Sequence, residues 1–95
     1  MSAYMVAMVS VTDPEQFKHY AAAAGGATAK YGGKYLARGG AMSLLEGDFD
    51  RERLVVIEFA DRAAAEAWYN SPEYQAAKKL REGAAIGTFV AVDGA

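Results

Sequence analysis

Two stretches of the chain are apolar at nearly every position, and they mark the centre of the fold. Arg53–Phe59 reads Arg-Leu-Val-Val-Ile-Glu-Phe, with Leu54 and Val56 on one side of an extended chain and Val55, Ile57 and Phe59 on the other. Residues 4–11 alternate in the same way, Tyr4, Val6, Met8 and Ser10 against Met5, Ala7, Val9 and Val11. Both read as strands buried on two faces, the positions of central strands in a sheet. Glu58 lies inside the first of these runs, where an unpaired carboxylate is costly.

Between and after these strands the period changes from two to that of a helix. Asp13-Pro14-Glu15-Gln16 supplies an N-cap, a first-turn proline and a capping-box spacing. Phe17, Tyr20, Ala21, Ala24, Ala27, Thr28 and Tyr31 then form one stripe, interrupted by Gly25-Gly26, which predicts a kinked or split helix. Gly32-Gly33 ends it. Residues 34–38 and 41–46 read as a second strand broken by Gly39-Gly40, which predicts a bulge or a close backbone approach. A polar turn over residues 47–52 returns the chain to Arg53 as an antiparallel hairpin. Asp61 caps the next helix, with Ala64, Ala67 and Trp68 on one side, and Ser71-Pro72 restarts it with Tyr74, Ala77, Leu80, Arg81 and Ala84. Residues 87–92 are the last strand.

The order β-α-β-β-α-β predicts an α+β, ferredoxin-like fold: one four-stranded antiparallel sheet with its helices on one face. The second sheet face is then apolar and bare, and a homodimer joined through the sheets is the expected cover. A chain of 95 residues makes one domain, 1–95, with a small core that association enlarges.

The residues carrying this pattern resemble a known family. They are Tyr31-Gly-Gly-Lys-Tyr-Leu-Ala-Arg-Gly-Gly40, Leu45-Glu-Gly47, Arg53–Phe59, Ala67-Trp-Tyr-Asn-Ser-Pro-Glu-Tyr-Gln75 and Leu80-Arg81. Together they are similar to a bacterial family of short proteins known only as a domain of unknown function, within the dimeric α/β-barrel superfamily. The resemblance implies two ferredoxin-like sheets paired face to face. Gly25-Gly26 departs from it, since prolines or bulky residues are expected there. The wider superfamily includes cofactor-free monooxygenases, muconolactone isomerases, haem-dependent dismutases and stress-responsive binding proteins, a range that leaves activity open.

Composition removes several classes. The chain is 53% hydrophobic and 23% charged with net charge −2, and its basic residues are scattered, so nothing marks a nucleic-acid or anionic-membrane surface. It contains no cysteine and one histidine, so thiolate and histidine-cluster metal sites are not expected. No stretch is long enough to span a bilayer, and Met1 leads into a short apolar run without a basic segment, which points to a cytoplasmic protein. His19 sits about 200° around the helix from Phe17, on the solvent side. No cofactor is expected.

Two sets of residues remain for chemistry. Arg38, Glu46, Arg53 and Glu58 lie on the predicted hairpin: Glu46 faces Arg53 as a cross-strand ion pair, and Glu58 falls near Arg38. Arg38 and Glu58 form either a register-fixing salt bridge or a functional pair, with Glu58 or a tyrosine handling a proton and Arg38 holding an oxyanion. The aromatic set comprises Tyr20, Tyr31, Tyr35, Trp68, Tyr69 and Tyr74, and Trp68 and Tyr74 near the Asn70-Ser71-Pro72 break are the best pocket walls, with Arg81 in reach. The ligand-binding candidates are Tyr31, Arg38, Glu58, Trp68, Tyr74 and Arg81. Three functions compete: a protein binding a small molecule between helices and sheet, a cofactor-independent monooxygenase or isomerase for an aromatic or lactone-type substrate, and a structural dimer without a ligand.

Overall fold

A computed structural model describes residues 2–95, so the reading of the chain's start at Met1 lies outside the described residues. The strands are β1 (Ala3–Val11), β2 (Lys34–Arg38), β3 (Arg53–Phe59) and β4 (Ala85–Asp93), and the helices are α1 (Pro14–Lys30), α2 (Arg62–Tyr69) and α3 (Pro72–Arg81). They form one four-stranded sheet in the order β2-β3-β1-β4, every neighbouring pair antiparallel. This is the ferredoxin-like arrangement, its second helix divided into α2 and α3.

Alternation sorts the strand side chains. Met5, Ala7 and Val9 of β1 and Ile57 and Phe59 of β3 are buried beneath the helices. Phe17, Tyr20, Ala24 and Ala27 of α1, Ala65 and Trp68 of α2, and Tyr74 and Ala77 of α3 complete that core. Ala67, expected on the packed side of α2, is exposed, and Ala65 takes its place. On the other face Tyr4, Val6 and Met8 pair with Glu58, Val56 and Leu54. β4 adds Ile86, Val90 and Val92 there, each about half exposed at 57%, 46% and 48%.

Local chemistry places the helices. Asp13 Oδ1 accepts from the Gln16 N–H at 3.2 Å, but the Gln16 side chain does not close the capping box. Its Nε2 donates instead to the Leu80 carbonyl at 3.0 Å, tying the start of α1 to the end of α3. Asp61 caps α2 through the Ala64 N–H, and Ser71 caps α3 through the Tyr74 N–H while donating to the Trp68 carbonyl.

Three sequence expectations change. α1 runs unbroken through Gly25 and Gly26. Two glycines cost about 2 kcal/mol of helix propensity, and the buried stripe from Phe17 to Thr28 outweighs that. Residues 41–46 are not a strand. The last β2 partner is Arg38 opposite Val55, with one further bond from the Gly39 N–H to the Leu54 carbonyl, so β3 has no more edge to offer. The irregularity falls between Tyr35 and Ala37, not at the glycine pair. Residues 39–52 form a long loop carrying Met42, Leu44 and Leu45 into solvent, Leu45 at 93% exposure.

Candidate functional site

Arg53 begins β3 with the parity of Val55, Ile57 and Phe59, so its side chain enters the helix-covered face. Its guanidinium carbon lies 5.4 Å from the centre of the Phe17 ring. Arg38 reaches the same place from β2: paired with Val55, it stands 4.1 Å over the Tyr35 ring and donates from Nη2 to the Ala21 carbonyl at 3.1 Å. Glycines admit both arginines. A Cβ on Gly25 would lie 3.1 Å from Arg38 Nη2, and a Cβ on Gly39, whose φ is +71°, would overlap the Arg53 guanidinium. One glycine of each pair, Gly25 and Gly39, thus makes room for an arginine, while a Cβ built on Gly26 or Gly40 meets nothing within 4 Å.

The two side chains stand at a cleft of about 40 Å³ between α1 and the sheet. Met5, Ala7, Val9, Val55 and Ile57 supply sheet atoms, Phe17, Tyr20 and Ala24 the helix wall, and Trp68 and Phe89 the far end. The volume corresponds to roughly one to three water molecules. Among the described residues no carboxylate and no histidine lines it. Three buried N–H groups of the helix-covered layer have no acceptor among the described residues: Arg53 Nε, Trp68 Nε1 and Arg81 Nε. Arg53 and Trp68 line the cleft, and Arg81 stands behind it, 5.3 Å from the Tyr20 ring centre. An orphaned buried donor costs about 1–3 kcal/mol, so three of one sign in one layer form a chemical preference. The site is short of acceptors.

Behind the cleft, the Tyr20 and Tyr74 hydroxyls are 2.8 Å apart and buried. Burial is the main reason that both phenols titrate above the ordinary range; the hydrogen bond and Arg81 partly offset it for Tyr20, and Arg81 does so for Tyr74. Neither is available as a base at neutral pH.

Not all the candidates meet at this cleft. Arg38 and Trp68 line it. Tyr74 is fully buried, with its ring centre 4.3 Å from that of Trp68, and forms the layer behind. Tyr31 is elsewhere: its hydroxyl donates to Glu73 Oε1 at 2.9 Å, and Lys30 bonds the other Glu73 oxygen, which joins the end of α1 to the start of α3. Arg81 opens mainly onto a second groove beside β4.

Glu58 does not meet Arg38. It pairs with Lys34 and Tyr4, and Arg38 pairs with Val55, which puts the two side chains on opposite faces of the sheet. Neither the salt bridge nor the joint acid–oxyanion device can form. The Glu46–Arg53 pair is also absent, because Glu46 belongs to the exposed loop and Arg53 turns inward. His19 is exposed, as its helical position predicts. Sequence reasoning passed over Arg53 and Phe17 as cleft residues, yet the parity of Arg53 with Val55 and Ile57 was the signal.

The fold defines a class, the ferredoxin-like α+β proteins. Within it, the chain belongs to the family described as Domain of unknown function (DUF1330), whose model matches residues 2–95. Similar solved structures agree on the fold. RPA0582, a protein of unknown function from Rhodopseudomonas palustris, is 21% identical with a TM-score of 0.75 over 99% of this chain and 82% of its own. A dimeric ferredoxin-like protein of unknown function from Jannaschia sp. is 17% identical with a TM-score of 0.74 over 99% and 100%. SnoaB, a cofactor-independent oxygenase from Streptomyces nogalater, is 13% identical with a TM-score of 0.63 over 99% and 93%. No curated protein matches the chain.

Proposed function

We propose that this protein is a homodimer joined through the outer sheet face, and that each protomer binds a small molecule bearing an anionic oxygen in the cleft between α1 and the sheet. The observation carrying the binding reading is the set of unpartnered donors, Arg53 Nε and Trp68 Nε1, beside a second arginine at a cleft with no carboxylate. A charged acceptor is favoured over a neutral one, because a guanidinium in an apolar setting gains most from an opposite charge. Arg38 is the movable wall. It is exposed and held by one hydrogen bond and a ring contact, so a ligand larger than the 40 Å³ cleft displaces it without disturbing the core.

The dimer reading is supported by the apolar outer face, with Val6, Val56, Ile86, Val90 and Val92, and by the dimeric protein from Jannaschia sp.. A binding role is favoured over the oxygenase or isomerase reading because Glu58, the carboxylate expected to take a proton, lies on the far face, and among the described residues no carboxylate or histidine lines the cleft.

Calorimetric titration with acetate, and with acetamide as its neutral counterpart, tests the binding reading. Acetate is expected to bind the wild type and to bind Arg53→Gln more weakly by on the order of tenfold or more, with acetamide weak throughout. Equal binding of the two probes, or unchanged acetate binding in Arg53→Gln, overturns it.

A further inference from the structure

A second groove, of about 550 Å³, lies on the other side of Arg81 between α2, α3 and β4. That is the size of an ordinary small-molecule site, more than ten times the volume of the cleft. Tyr69, Phe89 and Ala91 give it an apolar wall, and Glu66, Lys78 and Arg81 its charges.

Arg81 is the unusual member. Only 8% of its surface is exposed, yet among the described residues it has no ion pair and its side chain donates no hydrogen bond, and Nε is fully enclosed without an acceptor. Its guanidinium carbon is 4.5 Å from the Phe89 ring centre and 5.3 Å from that of Tyr20. Aromatic faces offset part of a buried charge's desolvation but supply no oxygen to its N–H groups. Lys78 Nζ donates to the Tyr69 hydroxyl at 2.9 Å, so a second cation is held on the same wall. Glu66 is exposed and is the one carboxylate of the lining, which leaves the groove with a net positive charge.

We propose that this groove is a second binding site, for an organic carboxylate with a compact hydrophobic body. The carboxylate takes the terminal N–H groups of Arg81, which unlike Nε are not enclosed, in a two-point geometry that guanidinium offers and ammonium does not. Lys78 adds charge at the rim. The hydrophobic body rests against Tyr69 and Phe89, whose ring centres are 6.4 Å apart. The site is separate from the cleft, although Met5 and Phe89 contribute to both.

Benzoate, with benzamide as its neutral isostere, tests this by NMR on isotopically labelled protein. Benzoate is expected to shift the Arg81 Nε–H and the Tyr69 and Phe89 ring signals saturably, and benzamide to leave them in place. Arg81→Met should weaken benzoate by on the order of thirtyfold or more. If that variant fails to fold, Lys78→Gln should weaken and Glu66→Gln tighten benzoate binding, each by roughly a few-fold. Equal shifts with both probes, an unmoved Arg81 signal, or benzoate affinity indifferent to Lys78 and Glu66 overturns the proposal. Shifts confined to Arg53 and Trp68 also overturn it and leave the cleft reading standing.

Discussion

The two faces of this sheet are made by the same four strands and differ in what their polar groups lack. On the helix side Arg38, Arg53, Trp68 and Arg81 bring donors into an apolar layer, three with a nitrogen that finds no acceptor among the described residues. On the outer side Glu58 has Lys34 directly opposite, and the remaining positions of β1 and β3 are mostly Val, Met and Leu. Unpaired charge on one face and unpaired apolar area on the other call for different partners. In the proposed function an anion completes the first and another apolar surface covers the second.

The largest effect should come from charging the outer face. Val56 is central there, paired with Val6 on one side and Ala37 on the other. Val56→Asp places an unpaired carboxylate in the proposed interface and should weaken the dimer by about 2–5 kcal/mol, leaving the helix-face core in place. Sedimentation velocity checks this at micromolar concentration. A compact wild-type monomer would break the comparison, because the outer face would then need no cover.

Next is the tyrosine pair behind the cleft. Tyr74→Phe strands the buried Tyr20 hydroxyl and should cost about 1–3 kcal/mol in urea unfolding, whereas the double change Tyr20→Phe, Tyr74→Phe should be nearly neutral. Additive losses would mean that the hydroxyls bond elsewhere. The glycines give a smaller effect of opposite sign. Gly26 has open space around a built Cβ, and Gly26→Ala should stabilise the helix by about 1 kcal/mol. Gly25→Ala gains the same propensity but presses on Arg38, so it should stabilise less and alter acetate binding. Identical behaviour of the two variants in both measurements would remove Gly25 from the site.

The smallest effect is a pH dependence at the α1–α3 tie. Lys30 and other hydrogen bonds hold Glu73 at about 2, below its ordinary 4.5. A depressed carboxyl contributes stability that is present above 4.5 and lost as pH falls toward 2. Glu73→Gln should flatten that part of the stability curve, and salt should reduce the difference because Lys30 is exposed and Glu73 only partly buried.

Much of the fold was legible because it rests on period and caps. Asp61 and Ser71 cap the helices they were expected to cap, and the alternation of β1 and β3 separates the two faces. What misled was glycine. Gly25-Gly26 and Gly39-Gly40 look like interruptions when only local propensity is considered, but the roles of Gly25 and Gly39 depend on arginines distant in sequence. The pairing of Glu58 failed for a related reason. Extending β2 through residue 46 slid the hairpin register, and a one-residue error in parity moves a side chain to the other face. Arg81 was visible as a candidate, but its missing acceptor depends on everything packed around it.

Trp68 offers the most direct test of the account, since it is the sole tryptophan, it lines the cleft, and its buried indole N–H has no partner among the described residues. Titrating labelled protein with acetate should move that one indole resonance saturably, with acetamide moving it little and Arg53→Gln abolishing most of the response. An indole signal that stays fixed while acetate is raised to saturation of any binding seen calorimetrically would contradict a ligand in the cleft.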